Sequence, residues 1–315
     1  MNEVHKLILF WEQRSNEPLA LATLVRARGS SYRRPGARML ISRDGVSAGL
    51  LSAGCIEEEV IARARDLLER GQPQLIAFDT RRRFGCSGSI EIFIERAPQQ
   101  LLDDLRRHLQ ARRSCEVATI FENSNALGSR IVAGFVEPGA FVQTIEPALR
   151  LLIIGLGPDA VALQRHATLL GWEAMMIESV TQLPEPPDRR TAAVVATHNF
   201  GPDCAALRHL LPLGLRYLGL VGPRKRRDEI LIDVIDSGAE MRSQLFAPAG
   251  LHLAAESPEE IALSIAAEIQ CVFAGGTPEH LRDRKAPIHD STRPLVVSYL
   301  NPAKNKRGPH PTLSQ

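Results

Sequence analysis

Aromatic residues make up only 5% of this 315-residue chain, so its core must be built from Leu, Ile, Val and Ala. Cysteine is scarce and poorly spaced for structural use. Cys55, Cys86, Cys115, Cys204 and Cys271 form no Cys-x-x-Cys pair. That excludes a disulfide framework and a local zinc site, and leaves free thiols. Charge of one sign is also lacking. The formal net charge is +2 at pH 7, which gives no global attraction to nucleic acid. No apolar run is long enough to cross a bilayer. The opening MNEVHKLILFWEQRSNEP mixes acidic and polar residues and has no small-residue cleavage site, so it does not read as a secretory leader. The expectation is a cytoplasmic protein with neither membrane nor nucleic acid as partner.

Apolar residues at 44% and charged residues at 23% are ordinary for a globular protein. Basic side chains nevertheless cluster at Arg33-Arg34, Arg81-Arg82-Arg83 and Arg224-Lys225-Arg226-Arg227, each beside a glycine-rich turn. Such blocks are either solvated faces or anion sites.

The first part of the chain reads as α+β. LALATLVRA, RMLIS and VSAGLLS are strands, with GSSYRRPGA as a loop between the first two. A helix is expected from Cys55 to Arg70, stopped by Gly71. Cys55 then lies at its N-cap, where the helix end lowers a thiol's pKa and Glu57, Glu58 and Glu59 oppose that effect. Strands over 74–79 and 89–95 flank RRRFGCSG, which holds Cys86. A polar helix over 97–112 and three short strands follow.

From residue 149 the pattern changes to strand, glycine turn, helix, strand, repeated. Alternation of this kind predicts a Rossmann-like, doubly wound parallel sheet. Ser257, Pro258 and two glutamates mark the start of the last helix, and Gly275 marks its end. The expected division is an N-terminal α+β domain over 1–145, a Rossmann-like domain over 146–278 and a poorly ordered tail over 279–315.

GLGPDA (155–160) fits G-x-G-x-x-A. Gly155 serves the tight turn, Gly157 admits a phosphate to the backbone, and Ala160 permits close helix–strand packing. Glu178, at the end of the second strand, is placed for ribose hydroxyls. Pro158 and Asp159 fit a phosphate less well, so a Rossmann fold with a repurposed crevice is the alternative. His198 and Arg224 each follow a later strand, at the same carboxyl rim where open α/β sheets bind ligands. Asp203 opens the next helix and complements its dipole.

These residues match a known pattern. VRARGSSYRRPGARMLIS, Ser52-Ala53-Gly54-Cys55-Ile56-Glu57, Phe84-Gly85-Cys86-Ser87-Gly88, LLIIGLGPDA, ATHNFGPD, LGLVGPRKRR and ESPEEIALSIAAEI occur in the order of the xanthine dehydrogenase accessory factors. The chain resembles this XdhC/CoxI-type family across residues 4–275. Ala53 and Ser87 stand where the family usually has glycine. The resemblance implies a chaperone without turnover of its own. Such a protein binds the molybdenum cofactor (molybdopterin or its dinucleotide form), supports its sulfuration and passes it to an apo molybdenum hydroxylase. It also implies a cysteine desulfurase as partner and a homodimer. Cys55 and Cys86 would then offer soft thiolates to molybdenum or carry a persulfide. Arg33 and Arg38 would supply positive field, and Gly155, Gly157, Glu178, His198 and Arg224 would hold the phosphate or nucleotide end. Cys115, Cys204 and Cys271 read as structural. The competing function is an NAD(P)-dependent oxidoreductase with His198 as acid/base, which leaves the first domain without a role. A DNA-binding regulator ranks last, because no recognition helix is visible.

Overall fold

LALATLVRARG forms β1 (Leu19–Gly29), the middle strand of an antiparallel sheet. The computed structural model describes residues 3–14, 16–29, 31–79, 88–122, 126–134, 139–183 and 187–285. Cys86, the arginine run 81–83, Ser87 and residues 286–315 lie outside these ranges. The chain divides into two compact units, one holding Lys6–Glu146 and the other Pro147–Ile288. Helix α1 (Glu3–Gln13) precedes β1 in the chain.

In the first unit β1 is flanked by β2 (Arg38–Ser42) and β3 (Ser47–Gly49) on one side. On its other side lie β5 (Gly88–Arg96) and β4 (Gln74–Asp79), giving the order β3-β2-β1-β5-β4. Alternate residues of the central strands point to one face. There Ala22, Leu24, Met39, Ile92 and Ile94 bury Val60, Ala64 and Leu67 of α2 (Glu57–Arg70). Gly71 ends α2 in a left-handed conformation, as glycine readily does.

The opposite face is more polar. Val25 and Phe93 meet Phe121 and Phe141 there. After α3 (Gln99–Gln110) comes a second sheet, to which Phe141 belongs. It has the order β7-β6-β8, from β6 (Cys115–Ile120), β7 (Gly128–Val132) and β8 (Ala140–Ile145). The buried Arg38 guanidinium hydrogen-bonds Gln143 of β8 and the Gly36 carbonyl. Buried Glu95 accepts the Ser129 N–H at 2.9 Å. Burial pushes the Glu95 carboxyl above its ordinary pKa, and the Ser129 bonds and the Arg38 charge only partly oppose it.

The second unit is the Rossmann-like domain. β9 (Arg150–Ile154), β10 (Glu173–Ile177), β11 (Thr191–Val195), β12 (Leu218–Leu220) and β13 (Leu245–Phe246) lie parallel, in the order β10-β9-β11-β12-β13. Leu151, Ile153, Ala192 and Val194 face one layer of helices. It contains α4 (Pro158–Leu170) and α7 (Pro258–Ala274). Leu152, Ile154, Ala193 and Val195 face the other layer, which contains α5 (Phe200–Leu210) and α6 (Arg224–Asp236). Strands buried on both faces explain the near-continuous apolar runs RLLII and TAAVV. The short β13 was not evident in the sequence; two residues are too few to show a period. Ser257 does cap α7, in a reciprocal box with Glu260.

Ile92 is wholly buried at the centre of the first core. Ile92→Ala is expected to cost about 2–5 kcal/mol by lost transfer energy and cavity formation. Urea unfolding should show a lower midpoint at unchanged slope. An unmoved midpoint would contradict this packing.

Candidate functional site

Cys55 sits on the loop between β3 and α2, and its side chain is exposed. The helix begins at Glu57 rather than at Cys55, with Ile56 at the N-cap. β3 ends at Gly49, short of the expected VSAGLLS. One side chain explains both shifts. The Glu57 carboxylate accepts the N–H groups of Leu51 (3.2 Å), Ser52 (2.7 Å) and Ile56 (3.1 Å), and the Ser52 hydroxyl at 2.6 Å. The chain therefore leaves the sheet and wraps around the carboxylate. Ser52 Oγ in turn accepts the N–H of Gly54 (3.1 Å) and of Cys55 (3.2 Å), and it lies 3.4 Å from the Cys55 thiol. Burial pushes the Glu57 pKa up, but the bonds from Ser52, Ile56 and its own N–H outweigh burial and hold it below the ordinary 4.5. Glu57 thus shapes the thiol loop, a role the sequence reading missed by treating it only as a repelling charge.

Of the two arginines expected to serve this thiol, Arg38 is placed elsewhere. Met39 and Ile41 of β2 face α2, so Arg38 points to the far side of the sheet, where it binds Gln143. Arg33 is half-buried in the loop after β1, and its carbonyl accepts from Ser31 at 2.7 Å. Cys86 falls outside the described residues. Cys115 and Cys204 are buried. Burial raises both thiols, Cys204 to about 11 with Asp233 as a further cause, which makes them poor nucleophiles.

In the Rossmann-like domain the connections from β9 diverge, to β10 on one side and onward to β11 on the other. This is the switch point where such sheets bind ligands. Gly155 follows β9 with φ +132, and a Cβ there would collide with the Ala196 carbonyl oxygen after β11. Only glycine fits so close a backbone approach. Gly157 is the N-cap of α4, and a Cβ on it would meet no atom within 4 Å. Glu178 is exposed just beyond the end of β10.

After β11 the tripeptide Thr197-His198-Asn199 is pulled two ways. The Thr197 hydroxyl donates to Asp203 of α5 at 2.5 Å, and Arg226 of α6 donates to the same carboxylate at 2.5 Å. Asp203 is completely buried. His198 turns the other way, and its Nε2 lies 2.9 Å from Asp159 Oδ2 in the first turn of α4. Its backbone is left-handed, at φ +57. Arg224 and Lys225 are exposed in the first turn of α6. The N-caps of α4, α5 and α6 provide no side-chain cap, but Asp159 and Asp203 already place carboxylates in the first turns of α4 and α5, so of the three it is the start of α6 that remains open to an anion. The structure thus brings Gly155, His198 and Asp159 together, and links Thr197, Asp203 and Arg226 behind them. Among the described residues no group of three or more His, Cys, Asp or Glu side chains could hold a metal ion.

Two outcomes follow. Glu57 is more acidic in the folded protein than when unfolded, so its stabilisation is full above about pH 4.5 and is lost as pH falls through the folded value. The stability gap between the protein and Glu57→Gln should therefore be present at neutral pH and shrink in acid. A gap independent of pH would contradict it. Arg226→Ala leaves the Asp203 charge buried without its cation and should cost about 3–5 kcal/mol in denaturant unfolding; a loss below about 1 kcal/mol would show that the pair is not needed.

Comparison with known proteins agrees with this architecture in both units. The XdhC and CoxI family model matches residues 12–79, and the XdhC Rossmann domain model matches residues 151–269. A Bacillus subtilis protein, named as a probable subunit of xanthine dehydrogenase, is 32% identical over 80% of this chain and 92% of its own length. The Escherichia coli molybdenum cofactor insertion chaperone PaoD is 25% identical, over 82% of this chain and 84% of its own length. A crystal structure of a xanthine dehydrogenase from Bacillus halodurans superposes with a TM-score of 0.73 at 23% identity, covering 88% of this chain and 97% of that one. At that identity the superposition speaks for the fold alone. With these matches in both units and the relative at 32% identity, the chain belongs to the XdhC and CoxI family.

Proposed function

We propose that this protein is an accessory factor for a molybdenum hydroxylase of the xanthine dehydrogenase type. In this reading it takes up the molybdenum cofactor as cargo, shelters it during sulfuration and hands it to the apo enzyme. The observation that carries the reading is one chain with both an exposed thiol on a built loop and open space beside Gly157 at the carboxyl edge of a parallel sheet. Its family includes a relative named as a molybdenum cofactor insertion chaperone. The residues present suit such cargo. A soft thiolate at Cys55 matches a sulfur-rich metal centre, and Cys86 is the second thiol offered. The open space beside Gly157 leaves room for the pterin part. Glu178 is free to take ribose hydroxyls where the cofactor carries a nucleotide, and Arg224 is available to its phosphate. A cysteine desulfurase supplying sulfur, and a homodimeric assembly, complete the proposal.

The NAD(P) reading has less support. A dinucleotide lays its diphosphate on the first turn of the helix after the glycine motif, where Asp159 already places a negative charge.

The experiment incubates the full chain with molybdenum cofactor, removes free cofactor by gel filtration, and assays what is retained by reconstitution of an apo hydroxylase. The unsubstituted protein should retain cofactor, and Cys55→Ser should retain about tenfold less, as expected for one lost strong ligand contact. No retention, or retention indifferent to Cys55→Ser while NAD(P)H binds and is oxidised, would reject the carrier reading.

A further inference from the structure

The expectation that the first turn of α4 holds a phosphate conflicts with Asp159. Its carboxylate already satisfies the positive helix end, and a second anion in the same turn is repelled. Yet this turn lies at the switch point, and the space beside Gly157 is open. We propose that Asp159 reads the donor edge of a 2-amino-4-oxopyrimidine ring, the edge that a pterin shares with guanine. This inference rests on the carrier reading of the crevice and names the group that makes the crevice selective.

The geometry suits such a reader. His198 Nε2 fixes the carboxylate at Oδ2, 2.9 Å away. Asp159 Oδ1 has no hydrogen bond among the described residues, and Oδ2 keeps a second lone pair. A 2-amino-4-oxopyrimidine presents two neighbouring donors, the ring N3–H and the exocyclic amino group in pterin numbering. Two carboxylate oxygens accept both in parallel, as charge-assisted bonds. Adenine presents a donor beside an acceptor and lacks the pair. Replacing the 2-amino group by oxygen sets a carbonyl against the carboxylate, and such a mismatch costs far more than a missing methylene.

The surroundings supply the remaining recognition. Leu156 lies between the two glycines and is 54% exposed, and Phe200 opens α5 and is 44% exposed. Both offer apolar surface for a flat ring at the edge where β9 and β11 end. Repulsion by Asp159 directs the ligand's phosphate away from α4, towards Arg224 and Lys225. The left-handed backbone of His198 is a strained conformation for a non-glycine residue. The imidazole rests on Asp159 in that conformation.

Fluorescence titration of the full-length protein tests this with two ligand pairs that differ only at position 2 of the ring. These are 6-hydroxymethylpterin against 6-hydroxymethyllumazine, and GMP against XMP. The unsubstituted protein should prefer the amino member of at least one pair by about tenfold or more. Preference within the first pair identifies the pterin as the source of the edge, and preference within the second identifies guanine. Asp159→Asn exchanges one acceptor for a donor and should reverse the preference. Equal affinity within both pairs, or no binding of any of the four, overturns the proposal; so does an Asn variant that weakens both members alike. If that variant does not fold, the unsubstituted protein's own discrimination decides. Cofactor retention without discrimination rejects this inference and leaves the carrier reading standing. Discrimination without retention does the opposite.

Discussion

A carboxylate buried at the start of a helix must be matched by donors, and among the described residues Glu57 and Asp203 each meet that constraint, one in either unit. Glu57 opens α2 and gathers N–H groups and a hydroxyl from the six residues before it. Asp203 lies in the first turn of α5 and gathers the Thr197 hydroxyl and the Arg226 guanidinium. An unmatched charge at either place would cost several kcal/mol. The loops that carry the candidate chemistry are therefore tied to these anions. The Cys55 loop closes around Glu57 through Ser52. The crevice loop after β11 is held from behind by Asp203.

This constraint also explains what was legible in the sequence. The order of elements, the parallel sheet and the stops at Gly71 and Gly275 follow from periodicity and glycine position, which are local signals. The capping box at Ser257 and Glu260 is local as well. The partners of Glu57 and Asp203 are not encoded that way. An acidic residue in a first helical turn reads as a dipole complement whether it is exposed or buried, because burial is set by what packs over it. Asp203 meets Arg226, 23 residues later, and no spacing rule announces that pair. Arg38 shows the same limit. It reads as a strand residue near enough to lend positive field to Cys55, yet the alternation of β2 sends Met39 and Ile41 to the α2 face and Arg38 to the other. The period-2 rule contained that answer, and the match to a basic motif obscured it.

Some glycines of the motifs are explained by contact rather than by ligand. Gly36 has φ +98, and a Cβ there would lie 2.6 Å from the Gln143 side chain, the group that also holds Arg38. Gly155 is forced by the Ala196 carbonyl. Gly157 is different, because nothing lies within 4 Å of its would-be Cβ. Among the described residues its smallness serves no packing. Gly54, in the Cys55 loop, has the same open surroundings but φ +104, and backbone conformation alone accounts for it.

The two walls of the Rossmann crevice differ in how firmly they are fixed. On the α5 and α6 side, the buried Asp203 carboxylate accepts from both Thr197 and Arg226. Networks of that kind hold one arrangement. On the α4 side the link is the His198–Asp159 contact, with His198 47% exposed. Exposed polar pairs contribute little net stability, so breaking this one costs less than breaking the buried pair. Thr197 is anchored to Asp203 one residue before His198, whose backbone sits at φ +57. The Asp159 carboxylate is thus aimed by an exposed histidine on one side of this edge, while the other side is tied to the buried Asp203.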